Sequence, residues 1–256
     1  MASNYHENYN ITNGHFVIIN NMHFTPLPQM KSNVPKTRTG ALEDMKRVKQ
    51  LAKNLGYTIE THRDMQAEQI EEMLDEWSKK DYTSIDAILI FIMSHGKKGT
   101  ITSADCKDIY LAEFVMSFKN NTTLKNKPKI FFIQACRGNT FLELDGDNQE
   151  ELLQIERDML FAFSTIDGHM SARDPESGSW YIQTLIDVIE ESDNKDINTI
   201  LTKVNGKIWE KVGEYKGKNI KMMPTFNNCL TKLFYFIEPD DINEVNRNVK
   251  LFLTIK

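Results

Sequence analysis

Apolar residues occur in this chain in two kinds of run, and the two kinds alternate. Continuous apolar runs of five to seven residues, such as Ala87–Met93, are typical of strands that are buried on both faces. Runs with apolar residues three and four positions apart, such as Ala41–Leu55, predict amphipathic helices, and Gly56 marks the end of that helix. The predicted strands are His15–Asn20, Tyr57–Glu60, Ala87–Met93, Lys129–Ala135, Met159–Ser164 and Phe226–Phe236. The predicted helices are Ala41–Leu55, Ala67–Lys79, Leu111–Phe118, Ser179–Glu190 and Ile197–Val212.

Strands that alternate with helices favour a largely parallel sheet with helices on both faces. The pattern therefore predicts a three-layer α/β sandwich with about six main strands. Three segments stand apart from it. Residues 1–13 form a polar leader that we expect to be disordered, residues 139–158 form an acidic connection, and residues 238–256 form a tail of unknown role.

Composition limits the classes of function. The chain has 256 residues, 40% hydrophobic and 26% charged, with a net charge of −5, which argues weakly against nucleic acid as the main partner. No apolar stretch approaches the length of a membrane span, and the N-terminus lacks the apolar core of a signal peptide. Three scattered cysteines predict neither a disulfide framework nor a zinc site. We therefore expect a cytoplasmic protein without a membrane or nucleic-acid partner.

The candidate chemistry lies at the ends of two predicted strands. Ala87–Met93 runs into Ser94-His95-Gly96, and Lys129–Ala135 runs into Cys136. If the strands are parallel neighbours, both side chains reach the same sheet edge, as a thiolate nucleophile with a histidine partner requires. Each residue alone has an ordinary interpretation, since a lone cysteine is usually buried filler and a strand-end histidine is often structural.

The pentapeptide Gln134-Ala135-Cys136-Arg137-Gly138 resembles the signature of the caspases, a family of clan CD cysteine peptidases. The resemblance extends over residues 14–237 in several ordered motifs, and the short leader resembles that of a short-prodomain caspase. These motifs are Thr37-Arg38-Thr39-Gly40, Ser164-Thr165, Gly168-His169-Met170-Ser171-Ala172-Arg173, Gly178-Ser179-Trp180 and Leu230–Phe236.

The resemblance implies a role for each matching residue. His95 and Cys136 would be the catalytic dyad, and the backbone N–H groups of Gly96 and Cys136 would form the oxyanion hole. The S1 pocket, which takes the substrate residue before the cut (P1), would consist of Arg38, Gln134 and Arg173. The substrate loop would be Met170, Ser171 and Ala172. No metal or cofactor is implied. Two guanidiniums and an amide suit a small carboxylate, which selects Asp at P1.

The resemblance also implies an activation route and partners. Cleavage of the connection 139–158 would separate a large-subunit part, residues 14–145, from a small-subunit part, residues 159–237. The expected cut follows Asp145, with Asp147 and Asp158 as alternatives. The implied partners are protein substrates with Asp at P1 and a second subunit, as a homodimer or a caspase heterodimer, joined near 226–233. The implied role is proteolysis in apoptosis or immunity.

Two departures keep other functions open. Caspases usually have Trp where this chain has Ala172, and the stretch 214–224 is shorter than in typical effector caspases, so the P2–P4 specificity is not predicted. A catalytically weak homologue that acts as a decoy or regulator by dimerising with another caspase is one alternative. A metacaspase that cuts after Arg or Lys is a second, but its S1 pocket should be acidic and the matching positions here are basic.

Overall fold

The computed structural model describes residues 8–28, 34–138, 156–192 and 196–236. The predicted leader before residue 8, most of the 139–158 connection and the tail lie outside the described residues, as do Asp145 and Asp147. The strands are β1 (Gly14–Asn20), β2 (Thr58–Arg63), β3 (Ala87–Met93), β4 (Gly96–Lys97), β5 (Thr100–Thr102), β6 (Asp108–Tyr110), β7 (Lys129–Gln134), β8 (Met159–Phe163), β9 (Arg173–Asp174), β10 (Gly178–Ser179), β11 (Gly213–Tyr215), β12 (Lys218–Ile220) and β13 (Thr225–Asn228). The α-helices are α1 (Ala41–Asn54), α2 (Ala67–Lys79), α3 (Leu111–Lys119), α4 (Trp180–Glu191) and α5 (Ile197–Glu210), with a 3₁₀ turn at Thr122–Leu124.

Six strands form the central sheet in the spatial order β13-β8-β7-β3-β1-β2. All neighbours in this sheet are parallel except β13, which pairs antiparallel with β8 at one edge. Every residue of β3 and β7 is buried, as their continuous apolar sequences predict. At the other edge β2 runs to Arg63, three residues beyond the predicted end, because it stays in register with β1 up to the pair Asn20–Arg63.

Helices cover both faces of the sheet. Phe16 and Ile18 of β1 pack with apolar residues of α1, α4 and α5, whereas the alternate residues Val17 and Ile19 pack with α2 and α3. The period of two along the strand thus divides the core into two layers around one sheet. The predicted α/β sandwich is therefore confirmed, and the predicted helices are present with ends that differ by no more than a few residues. None of the helices in the described ranges is long and apolar enough to cross a membrane.

The two ends of the domain differ from the sequence predictions. Tyr9 and Ile11 are buried, and the Tyr9 N–H donates to the carbonyl of Leu233 at 2.9 Å, so the expectation of a disordered leader is wrong for residues 8–13. The predicted strand Phe226–Phe236 is wrong in extent, because β13 ends at Asn228. The side chain of Asn228 accepts the N–H of Leu230 at 2.8 Å, and this local turn takes the chain off the sheet edge.

Candidate active site

The register of β3 and β7 brings the two predicted reactive residues to one edge of the sheet. Met93 and Gln134 are paired, and the N–H of Ser94 donates to the carbonyl of Gln134 at 3.1 Å. His95 and Cys136 each lie two residues beyond that pair, so both leave the sheet at its carboxyl edge. They line a shared cleft of about 710 Å³, in which the substrate loop, Gln134 and Arg173 also take part.

The imidazole of His95 is held from outside the sheet. Its Nε2 is 2.7 Å from the carbonyl oxygen of Lys36, and its ring lies 4.9 Å from the ring of Phe24. Burial lowers the pKa of His95, the bond to Lys36 opposes this, and the charges of Arg38 and Arg173 lower the pKa further. The imidazole is therefore mainly neutral at neutral pH, which is the form that can accept a proton.

The thiol of Cys136 meets the substrate loop rather than the imidazole. Its Sγ accepts the backbone N–H of Ser171 at 3.4 Å. Among the described residues, no hydrogen bond joins His95 to Cys136.

Gly96 lies where only a glycine fits. A Cβ at this position would be 2.6 Å from the carbonyl oxygen of Thr100 and 3.1 Å from that of Cys136. The backbones of Gly96 and Cys136 are therefore in close contact beside the cleft. The predicted oxyanion donors, the N–H groups of Gly96 and Cys136, belong to these two backbones and stay a prediction.

The three residues predicted for S1 also converge, but at different depths. Gln134 is buried and its Nε2 donates to Ser171 Oγ at 2.8 Å, while its Oε1 is buried without a partner. Arg173 lines the cleft from β9. Arg38 is fully buried, with Thr37 and Thr39 on the cleft surface on either side of it.

The guanidinium of Arg38 is only half satisfied. Its Nη1 donates to Asn20 Oδ1 at 3.1 Å and to the carbonyl of Asn21 at 2.8 Å, whereas Nε and Nη2 are buried without partners. Unpaired buried N–H groups are costly, and a carboxylate bound between Arg38 and Arg173 would satisfy them.

Ala172 is contacted by Met222, a residue that was not predicted from the sequence to belong to the site. Met222, which is buried, accepts the N–H of Ala172 on its sulfur at 3.2 Å and lies 3.6 Å from Ser171 Oγ. Trp180 and Tyr215 line the same cleft beyond Ala172. Tyr215 belongs to the hairpin β11–β12, whose turn Lys216-Gly217 has positive φ at both residues. A Lys-Gly pair between short alternating segments is the signal that could have predicted this hairpin.

Arg137 ties the substrate loop to the segment that carries Cys136. Its N–H donates to the carbonyl of His169 at 2.8 Å, and its carbonyl accepts the N–H of Gly168 at 3.0 Å. Its guanidinium forms an ion pair with Asp167 and lies 3.9 Å from the centre of the Phe163 ring. The sequence analysis used Arg137 only as part of the signature and did not predict the pairing with Asp167.

The sheet and the cleft define a class of α/β protein in which neighbouring parallel strands present a cysteine and a histidine beside a basic pocket. Comparison with protein families agrees with this class. The caspase domain family matches residues 13–235 of this chain.

Three curated proteins illustrate the similarity. Caspase-1 of Drosophila melanogaster is 32% identical over 221 residues, which cover 80% of this chain and 66% of the fly protein. Mouse caspase-3 is 31% identical, with coverage of 86% and 82%, and mouse caspase-8 is 31% identical, with coverage of 87% and 51%. The chain thus spans about half of caspase-8 and slightly less than two thirds of the fly protein. This chain belongs to the caspase family of cysteine peptidases.

Proposed function

We propose that this protein is a cysteine endopeptidase that cuts after Asp. The observation that carries the proposal is the convergence of His95, Cys136 and the S1 residues Gln134 and Arg173 on one cleft, with Arg38 directly behind it. A thiol beside a neutral imidazole supports nucleophilic catalysis. A pocket with two guanidiniums supports selection of a short carboxylate, because the carboxylate oxygens accept hydrogen bonds from both.

In the proposed reaction, the proton of the Cys136 thiol passes to His95, and the sulfur attacks the carbonyl carbon of the P1 residue. The oxygen that becomes negative is stabilised by the N–H groups of Gly96 and Cys136. His95 returns the proton to the leaving amine as the C–N bond breaks, which leaves a thioester on Cys136. Water, deprotonated by His95, then hydrolyses the thioester and restores the thiol.

The carbonyl of Lys36 suits this exchange. It fixes the imidazole through one ring nitrogen, so the other nitrogen is free to accept the proton. The bond also stabilises the imidazolium that forms after proton transfer, since an N–H donor binds a carbonyl more strongly when it is charged.

The wider biology follows from the family and is proposed with it. We propose that the protein acts in the cytoplasm in apoptosis or immune proteolysis, as a homodimer or with another caspase. One edge of the described sheet is β13 (Thr225–Asn228), which has a neighbour on one side only and overlaps the predicted segment 226–233. Cleavage at Asp145 would convert a single-chain precursor into large and small parts.

The experiment compares hydrolysis of tetrapeptide substrates that end in Asp, Asn or Arg. Cys136→Ala and His95→Ala should each abolish turnover while the fold is retained, and the double variant should be little worse than either, because the two residues act as a unit. Cys229→Ala, a matched exposed cysteine, should leave turnover unchanged. Arg173→Gln should lower kcat/KM for Asp substrates by roughly 30-fold to several thousand-fold. Equal use of Asn and Asp at P1 would contradict the pocket.

One alternative has specific support. Arg38 has no exposed surface, and Cys136 Sγ accepts a hydrogen bond from Ser171 rather than from His95. Both features are expected of a protein that does not cleave substrates by itself. A decoy or regulator would dimerise with another caspase. Purified protein that shows no peptidase activity at any concentration, but changes the activity of a partner caspase, would favour this alternative.

A further inference from the structure

A buried carboxylate lies behind the S1 pocket. Asp44, in the first turn of α1, has no exposed surface, and its Oδ1 accepts the N–H of Ser179 and the Nε2 of Gln183, both at 2.8 Å. Its Oδ2 is buried and has no partner. A carboxylate in this setting is costly unless positive charge compensates it, so its presence requires an explanation.

Asp44 binds the backbone of β10, the strand that pairs with the strand of Arg173. Ser179 is the register partner of Arg173 in the β9–β10 pair, so the bond from Ser179 to Asp44 fixes the hairpin that presents Arg173 to the cleft. The approach is close, because a Cβ on Gly178 would lie 2.4 Å from Asp44 Oδ1. Gly178 also has φ +98, a conformation that other residues avoid, so the glycine permits both the turn and the contact.

The charge of Asp44 acts on both S1 arginines. Burial lowers the pKa of both Arg38 and Arg173, and the negative charge of Asp44 opposes that fall in each. The effect of Asp44 on Arg38 is larger than that of Asp64. The two arginines otherwise leave two positive charges in a poorly solvated pocket, with Arg38 Nε and Nη2 unpaired. Burial raises the pKa of Asp44, and the bonds from Gln183 and Ser179 and the charge of Arg38 oppose this rise.

We propose that Asp44 is a positioning residue of the S1 pocket, which balances the charge of Arg38 and Arg173 in the empty pocket and holds the strand of Arg173 in register. The inference rests on the proposed function. It implies that the pocket carries one net positive charge when empty and is neutral when the P1 carboxylate binds. Replacing the carboxylate by an amide of the same shape keeps an acceptor for Ser179 and removes only the balancing charge.

The test compares Asp44→Asn with its parent in a Cys136→Ala background, where peptides bind without being cut. The ligands are two tetrapeptide amides that differ only at the last residue, Asp or Asn, measured by calorimetry and thermal shift at pH 7.5. We expect Asp44→Asn to lower Tm without ligand, to bind the Asp peptide roughly tenfold more tightly, and to leave the affinity for the Asn peptide unchanged. Asp75→Asn, the same change at an exposed position of α2, should do none of these.

A purely structural role predicts weaker binding of the Asp peptide, because a loosened β9–β10 hairpin would lower the affinity for both peptides equally. That result would overturn the proposal. A second variant covers loss of folding. If charge balance is the cause, adding Arg173→Gln to Asp44→Asn should recover part of the lost stability. A double variant whose loss of stability equals or exceeds the sum of the two single losses would also overturn the proposal. This stability cycle is independent of substrate preference. If the parent protein binds the Asp and Asn peptides equally, the proposed function is contradicted. The stability of the single and double variants then still tests the role of Asp44.

Discussion

The hydroxyl of Tyr9 connects the two ends of the domain, and its removal should have a measurable cost. Tyr9 Oη donates to Asp158 Oδ1 at 2.6 Å and accepts the N–H of Thr231 at 3.0 Å. The hydroxyl of Thr231 donates to the same Asp158 oxygen at 2.6 Å. Asp158 directly precedes β8 and is buried, so these bonds join the segment at Tyr9, the start of β8 and the segment at Thr231.

The magnitude for Tyr9→Phe follows from these bonds. A hydrogen bond to a charged group contributes about 1.5–3 kcal/mol, and the bond from the Thr231 N–H adds about 0.5–1.5 kcal/mol. Thr231 still serves Asp158, so the carboxylate is not left without a donor. We therefore expect a loss of about 2–4 kcal/mol in the free energy of unfolding. For a domain of this size each kcal/mol lowers Tm by roughly 2–4 °C.

The assay is urea unfolding of the full chain in a Cys136→Ala background, which prevents self-cleavage. Tyr181→Phe is the matched control, because the hydroxyl of Tyr181 is equally buried and has no partner. Its removal should be neutral or stabilising, since it relieves an unsatisfied group. If Tyr9→Phe cost no more than Tyr181→Phe, the Asp158 cluster would not stabilise the fold. Thr231→Val should combine with Tyr9→Phe non-additively, because both donors share one oxygen.

Three further predictions concern specificity, pH and processing. Ala172→Trp should reduce the acceptance of bulky P2 residues by roughly 10- to 200-fold in kcat/KM; a wild-type protein that already requires a small P2 residue would show that Met222 supplies the missing wall. Burial lowers the pKa of Lys129 to about 8 in the folded protein, against about 10.4 in the unfolded chain. Between these two pH values the unfolded chain binds more protons, so the free energy of unfolding should rise with pH. Lys129→Met should abolish that rise in urea titrations, and an unchanged slope would contradict it. Asp145→Ala should keep the chain in one piece by intact mass, and an active but uncleaved wild type would show that this cut is not the switch.

Much of the fold was predictable because periodicity and burial coincide in the central strands. Ala87–Met93 is apolar at every position and became β3 with the predicted bounds. One prediction failed where a contact remote in the sequence decides, and another where a local turn does. Tyr9 and Ile11 lie in a polar segment, and only pairing with Leu233 shows that they are ordered. The end of β13 depends on a local turn at Asn228, which an apolar pattern running on to Phe236 conceals.

The site divides in the same way. The strand ends at His95 and Cys136 could be placed together because a parallel sheet brings its carboxyl ends to one edge. The partners of those residues could not be predicted. The carbonyl of Lys36 has no side-chain signal, Met222 contacts the substrate loop from a remote segment, and Asp44 looks like an ordinary acidic residue in a first helical turn. Each depends on packing between segments that are remote in the sequence.

The same contacts bear on the proposed activation. β7 and β8 are parallel, so the chain leaves the sheet near Cys136 and returns at the opposite edge, beside Asp158. A cut between them breaks no bond of the β7–β8 pairing. At the near end, Gly138 lies against Gly168, and a Cβ there would be 2.1 Å from the Gly168 carbonyl. The segment after Cys136 is therefore packed directly against the loop at Gly168. Asp158 is buried and directly precedes β8, so a cut there would require the start of that strand to open, and we expect it to be a poor cut site.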